Sequence, residues 1–252
     1  MEETLDTLST GGIQILQPRN GYRYSLDALI LPFFLKVKGG ERLMELGGGT
    51  GVISIIVARR CGDCSVVSLE LQERLHGLMV RNLALNRLTD RVDGVRGDIR
   101  QVRKHFDEAS FHQVFTNPPF RKARSGRINP DREKAIARHE IALSLEELVD
   151  AAAYLLKPEG RFCLIYLAER LVDLIQKLRH RNLEPKRMQT IHSFPDAPAG
   201  LMLMEAVKGV RPGLTLEPPF VIYQDRDKTY SPAMEAIYAF QGEGARGEKK
   251  GD

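Results

Sequence analysis

Residues 116–120 read T-N-P-P-F and close an apolar stretch, F-H-Q-V-F, with an amide, two prolines and a ring. A plain turn needs no second proline, and a core needs no Asn. The side-chain oxygen of Asn117 and the carbonyl of Pro118 are both hydrogen-bond acceptors. Pro118 and Pro119 fix φ and so hold those acceptors still, and Phe120 offers a face for a planar ring. Such a corner suits an exocyclic amine. Two accepted N–H bonds turn its nitrogen toward tetrahedral geometry, free the lone pair and stabilise positive charge that develops there.

A second cluster is E-L-G-G-G-T-G at 45–51. Gly47, Gly49 and Gly51 let backbone pass beneath a bulky ligand and reach positive φ. The dinucleotide fingerprint G-x-G-x-x-G is broken, because Val52 stands where its third glycine belongs. No G-x-x-x-x-G-K-[ST] occurs either, so the loop need not bind phosphate. Glu45 precedes the glycines and can meet a cationic ligand group, directly or through water. Glu70, followed by Leu71, closes the next apolar stretch, where a carboxylate can accept from ribose hydroxyls. Asp98, followed by Ile99, closes the one after. Asp98 is a further hydrogen-bond acceptor there, with Ile99 an apolar face beside it. One strand-end acid is ordinarily a solvated charge, but three in register with a glycine loop form a set.

These residues must be carried by elements that bring them together. From residue 42 short apolar runs alternate with amphipathic ones. Strands are expected at 42–46, 65–71, 91–98, 111–116 and 160–167, and helices at 51–60, 72–86, 144–157 and 168–181. The stretches M-Q-T-I-H-S-F and G-L-M-L-M-E-A-V-K-G suit a closing antiparallel pair. This alternation predicts an α/β fold, a mostly parallel sheet with helices on both faces. Ligands of such sheets sit at the carboxyl ends of the strands, which puts the glycine loop and T-N-P-P-F in one site. Ahead of residue 42, segment 11–34 reads as a strand, a turn, a short second strand and a helix capped by Ser25. Residues 216–240 read as an extended segment and a helix opening at Ser231–Pro232.

Four units follow. Residues 1–41 are an extension packed on the core, and 42–210 are the main domain. Residues 211–241 are an extended segment and helix of that same domain, and 242–252 a Gly-rich, charged, disordered tail. The chain has 252 residues, 42 % apolar and 28 % charged, with a formal charge of +4. That balance permits a nucleic-acid partner without demanding one. Cys61, Cys64 and Cys163 are too few for a disulfide framework, and a lone C-x-x-C lacks the second pair of a zinc site, so no metal is expected. The acidic N-terminus lacks the apolar core of a secretory signal, and no apolar run approaches ~18 residues. The expected location is the cytoplasm.

The loop E-x-G-x-G-x-G resembles that of S-adenosylmethionine enzymes, and N-P-P-F resembles the signature of methyltransferases acting on planar amines. G-Y-R-Y-S-L-D-A-L-I-L (21–31), A-R-H-E (137–140), L-L-K-P-E-G-R-F (155–162), L-E-P-K-R (183–187) and Y-S-P-A-M-E-A-I-Y (230–238) narrow the likeness. They resemble the bacterial tRNA(Val) adenine N6-methyltransferase family, over residues 12–240. The resemblance implies a Rossmann-like class I methyltransferase with a seven-stranded sheet and an antiparallel closing strand. It also implies S-adenosylmethionine as cofactor and, as substrate, the adenine 3′ of a tRNA anticodon. Glu45 stands where that family more often has Asp, and Gly48 where it more often has Thr or Ser. Tyr24, Ser25 and Asp27 precede the first core strand, a segment that often lids the methionine end of the cofactor. Arg121, Lys122, Arg124 and Arg127 open a basic loop beside the corner that can hold phosphates around an everted nucleotide. Arg138 and His139 suit packing or an ion pair as well as a substrate role.

Three other readings share parts of this pattern. A glutamine methyltransferase of release factors carries a helical recognition domain where this chain has some forty residues of a different signature. A ribosomal RNA guanine N2-methyltransferase is usually duplicated, and no repeat occurs here. A scaffold that binds the cofactor without catalysis has no need of Asn117.

Overall fold

A computed structural model describes residues 2–8, 12–20, 23–118 and 143–240. The disordered-tail expectation for 242–252 and the basic loop lie outside these residues. A mostly parallel sheet runs through the molecule. Its long strands are β3 (Arg42–Leu46), β4 (Ser65–Glu70), β5 (Val92–Arg96), β6 (Phe111–Thr116), β7 (Leu156–Leu167), β8 (Leu183–His192) and β9 (Ala199–Lys208). Their spatial order is β5-β4-β3-β6-β7-β9-β8, with β9 antiparallel to both neighbours. The expected seven strands and closing antiparallel pair are present. Two short strands, β10 (Thr215–Leu216) and β11 (Phe220–Val221), pair with β8 and extend the sheet to nine.

The strand order reverses between β3 and β6, which are hydrogen-bonded neighbours. A crevice must open there at the strands' carboxyl ends, because chain leaves β3 toward one side and enters β6 from the other. The glycine loop follows β3, and Asn117 follows β6.

Period-two alternation divides the core between the two sheet faces. Leu43, Val66, Phe115 and Ile165 point to one face, where α1 (Leu26–Phe34), α2 (Val52–Arg60), α3 (Glu73–Leu85) and α6 (Pro232–Tyr238) pack. Met44, Val67, Val114 and Phe162 point to the other, covered by the 3-10 turn Ile99–Lys104, α4 (Leu145–Leu155) and α5 (Leu171–His180). Helix α2 is rich in β-branched residues, which are poor helix formers. It is buried from Val52 to Ala58, and that burial outweighs propensity. Ser144 and Glu147 form a reciprocal capping box that starts α4.

Three expectations need correction. Strand β7 begins at Leu156 rather than 160, so α4 ends two residues short of the expected 157. The helix expected from 168 opens with a 3-10 turn, Ala168–Arg170. The partner of strand β2 (Ile13–Pro18) is β1 (Glu3–Leu8), which precedes it, and residues 23–25 form no strand. The acidic start therefore forms a hairpin. Arg23 and Arg81 pair with Asp6 and Glu3, which neutralises part of its charge.

The hairpin's outer edge has an unusual partner. Asn82 on α3 and Asn86 at its C-cap, one turn apart, bond the backbone of Leu16 and Gln14, each giving its amide NH2 and accepting with its oxygen at 2.7–3.1 Å. Spaced i, i+4 on a helix, the two amides substitute for a neighbouring strand. This satisfies an edge that would otherwise be left unpaired. The buried Asn82 NH2 also reaches the Thr50 carbonyl at 2.9 Å, so the hairpin and the glycine loop share one anchor.

Candidate active site

Positive φ at Gly47 (77°), Gly49 (57°) and Gly51 (85°) turns the chain sharply out of β3 and into α2. Any other residue would be strained there. The loop is held from beneath by the strand beside it: the N–H groups of Gly47 and Gly48 both donate to Leu69 O, at 2.8 and 3.0 Å. A side chain on Gly47 would meet nothing within 4 Å, so the loop opens there into free space. Gly48 is different. A Cβ there would lie 2.0 Å from the Ser68 hydroxyl oxygen, so Ser68 takes the room that Thr or Ser at 48 would need.

Glu45 is 1 % exposed and lies under the loop, not on its rim. Its Oε2 accepts from Ser54 and from Ser68, the latter at 2.8 Å. Burial pushes its carboxyl up to about 7, against the pull of the two serine hydroxyls. Nearby Glu70 adds to the rise. A lone Ser in a helix and another in a strand carry no signal in the sequence, so Ser54 and Ser68 are legible only in the fold.

Glu70 ends β4 at 6 % exposure. One carboxylate oxygen accepts from Gly49 N at 2.9 Å and the other from Gln72 N at 2.8 Å. Each oxygen keeps a second lone pair for a hydroxyl pair such as a ribose diol. Leu71 beside it is 42 % exposed, an apolar surface at the mouth of the crevice. Asp98 caps the 3-10 turn, and Arg100 binds both its oxygens, at 2.9–3.0 Å through the backbone N and Nε. That guanidinium holds the carboxyl below its ordinary range. Any ligand donor reaching Asp98 must therefore share it with Arg100. Ile99 is half-buried against the second core.

Across the crevice, the Thr116 hydroxyl donates to Leu46 O at 2.7 Å and ties the end of β6 to the start of the glycine loop. Thr116 thus has a part in the corner that was not evident from its sequence. Asn117 follows, half-buried, and its Nδ2 donates to Asp27 Oδ2 at 3.0 Å. Asp27 lies in the first turn of α1. Ser25 is the exposed N-cap of that helix, with no side-chain capping bond. Tyr24 is half-buried against the core, and burial, then the Asp6 carboxylate, push its phenol up. Pro118 is described and buried, whereas Pro119, Phe120, Arg121, Lys122, Arg124, Arg127, Arg138 and His139 lie outside the described residues. The structure thus brings Glu45, Gly47, Gly49, Gly51, Glu70, Asn117 and Asp27 around one crevice.

Cys61 and Cys64 follow α2, away from this crevice, and are buried and unpaired. Burial pushes the Cys64 thiol up to about 12, the behaviour of a packed rather than a reactive cysteine.

Known proteins place this geometry in a class. The "tRNA1(Val) (adenine(37)-N6)-methyltransferase" of Dyadobacter fermentans is 27 % identical over 90 % of this chain and 93 % of its own length. The protein of the same name from Porphyromonas gingivalis is 30 % identical over 66 % of this chain and 65 % of its own. Among solved structures, a predicted O-methyltransferase from Agrobacterium tumefaciens superposes with a TM-score of 0.69 at 20 % identity, covering 86 % of this chain and 97 % of that one. A SAM-dependent O-methyltransferase from Thermotoga maritima superposes at 0.54 with 21 % identity, over 77 % of this chain and 68 % of that one. The structural likenesses establish the class I methyltransferase fold. The model of the family described as "Methyltransferase small domain" matches residues 27–180, from the aspartate beside Asn117 to the end of α5, and this chain belongs to that family.

Proposed function

We propose that this chain transfers a methyl group from S-adenosylmethionine to the exocyclic N6 amine of an adenine in RNA, the adenine 3′ of the anticodon of a tRNA. The observation that carries this reading is Asn117. It stands at the switch point beside the glycine loop, tied to that loop through Thr116. Relatives named for adenine N6 methylation of a tRNA, matched over up to 90 % of this chain, supply the substrate class.

The residues present fit the cofactor. Gly47 leaves open space above a left-handed turn, Glu70 has lone pairs for a ribose, and Leu71 offers an apolar face. Buried Glu45 is a reserve of negative charge beneath the cationic end. When bound, S-adenosylmethionine supplies a methyl on a cationic sulfur, which becomes a neutral thioether as the sulfur–methyl bond breaks and the nitrogen–methyl bond forms. Asn117 Oδ1 and the Pro118 carbonyl accept the two N–H bonds of the amine and so free its lone pair. The same acceptors stabilise the positive charge that arrives on nitrogen, until its proton leaves to water. Phe120 stacks on the base, and Arg121, Lys122, Arg124 and Arg127 hold the flanking phosphates. Tyr24 and Ser25 border the methionine end, and Asp98 with Ile99 the adenine end.

An adenine in an anticodon loop is unpaired and needs only unstacking to enter such a pocket. Guanine would set a carbonyl oxygen against the two acceptors with no proton between them. The work is then cytoplasmic, where tRNA is met. Among the described residues no helix is long and apolar enough to cross a membrane. Incubation with unmodified bacterial tRNA and labelled S-adenosylmethionine is expected to give N6-methyladenosine in an anticodon-loop fragment, read by nucleoside mass spectrometry. Label in guanosine, in duplex stems or in a release factor would overturn the substrate assignment.

A further inference from the structure

We propose that Asp27 is a positioning residue for methyl transfer: its carboxylate fixes the Asn117 amide so that Oδ1, not Nδ2, faces the substrate amine. The inference rests on the function proposed above and names a residue that function does not require. Asn117 Nδ2 donates to Asp27 Oδ2 at 3.0 Å, between residues 90 positions apart. The two ends of a primary amide have nearly the same shape and opposite chemistry. Turned over, Asn117 would present N–H donors to an amine that is itself a donor, and activation would fail. Proline neighbours do not prevent this, because they fix the backbone and not the terminal side-chain torsion. A carboxylate does prevent it. It can only accept, so it binds the Nδ2 end and repels the oxygen end.

Asp27 is itself well held. It lies in the first turn of α1, where unpaired backbone N–H groups and the helix dipole favour an anion. The next four residues, Ala28 to Leu31, are at most 2 % exposed, so the helix is fixed against the sheet. The carboxylate lies one amide away from the reacting nitrogen. Its negative charge also favours the positive charge that grows there.

The test is a reciprocal exchange. Asp27→Asn can present either amide end to Asn117 and loses the bias. It is expected to lower kcat about tenfold, with KM for tRNA and for S-adenosylmethionine within about twofold. Asn117→Asp sets carboxylate against carboxylate and is expected to fall further. The double variant Asp27→Asn/Asn117→Asp restores one donor facing one acceptor with the direction reversed, and is expected to recover at least ~10-fold in kcat over Asn117→Asp alone. A role in stability alone predicts no such recovery, and melting temperatures measured alongside show whether each variant folds. Wild-type kcat in Asp27→Asn overturns the proposal, as does a double variant no faster than Asn117→Asp. If the unaltered chain leaves tRNA adenine unmethylated, the proposed function fails and the positioning role falls with it. If it methylates adenine and Asp27→Asn keeps full kcat, only the positioning role falls.

Discussion

The two sides of the crevice are built in different ways. The glycine-loop side is supported by its immediate neighbours: Leu69 O beneath Gly47 and Gly48, Glu70 on Gly49 N, and Ser54 and Ser68 on Glu45. Every one of these partners lies on β4, on α2 or at the strand end, within about one strand spacing of β3. The corner after β6 instead depends on distant chain. Thr116 reaches back 70 positions to Leu46, and Asn117 reaches 90 to Asp27. The first side is thus built from β3, β4 and α2, and the corner after β6 also takes a partner from α1, ahead of β3. Sheets of this class can share the first side and differ in substrate by changing only the second.

That contrast can be broken at its strongest point first. Asn117→Ala removes a transition-state acceptor and is expected to cut turnover ~100-fold or more while S-adenosylmethionine affinity stays nearly intact. Labelled methyl incorporation into tRNA and calorimetry on the same preparation separate the two quantities. Equal losses in both would show that the corner is also part of the cofactor site.

Glu70→Ala is the opposite probe. Losing a charge-assisted pair with ribose is expected to weaken S-adenosylmethionine by about 1.5–3 kcal/mol, read by calorimetry. Unchanged affinity would remove Glu70 from the cofactor side. Part of the loss can come from Gly49, whose N–H would lose its acceptor. A serial comparison with Glu70→Gln, which keeps an acceptor there, distinguishes the two contributions.

The smallest effect concerns pH. Glu45 is an acid whose folded pKa, about 7, lies above the ordinary 4.5. The folded state therefore holds the proton more tightly than the unfolded state between those values. The stability associated with Glu45 is fully present below about 4.5, declines as pH rises, and is level above about 7. A cationic ligand end favours the ionised form, so cofactor binding runs the other way. Affinity is expected to rise about tenfold from pH 6 to pH 8 and then level off. Glu45→Gln should flatten that profile, and an equal slope in the variant would assign the titration elsewhere.

Much of this molecule could be read without coordinates, for reasons that act over a few residues. Left-handed φ demands glycine, so the bend at 47–51 is visible in composition. Alternation sorts strand residues between faces, and caps such as Ser144 with Glu147 or Ser231 before Pro232 mark where helices start. Strand ends then place Glu45, Glu70, Asp98 and Asn117 on one edge of the sheet. The beginning of the chain was less legible. E-T-L-D-T-L is short and mostly polar, and it becomes a strand only because β2 offers an edge and two arginines offset its acids.

Which partner each site residue takes was settled only in three dimensions. Nothing near Glu45 in the chain says that Ser68 will lie beneath it, or that the same serine fills the room beside Gly48. Asn82 looks like one polar residue on an apolar face until β2 is seen beside it. Asn117 carries its amide by sequence, but the end of that amide facing the crevice is set by Asp27, on a helix docked against the sheet. Backbone preferences are properties of a residue and its neighbours. A hydrogen bond across 90 positions exists only once strand register and helix docking have brought the two atoms within 3.0 Å.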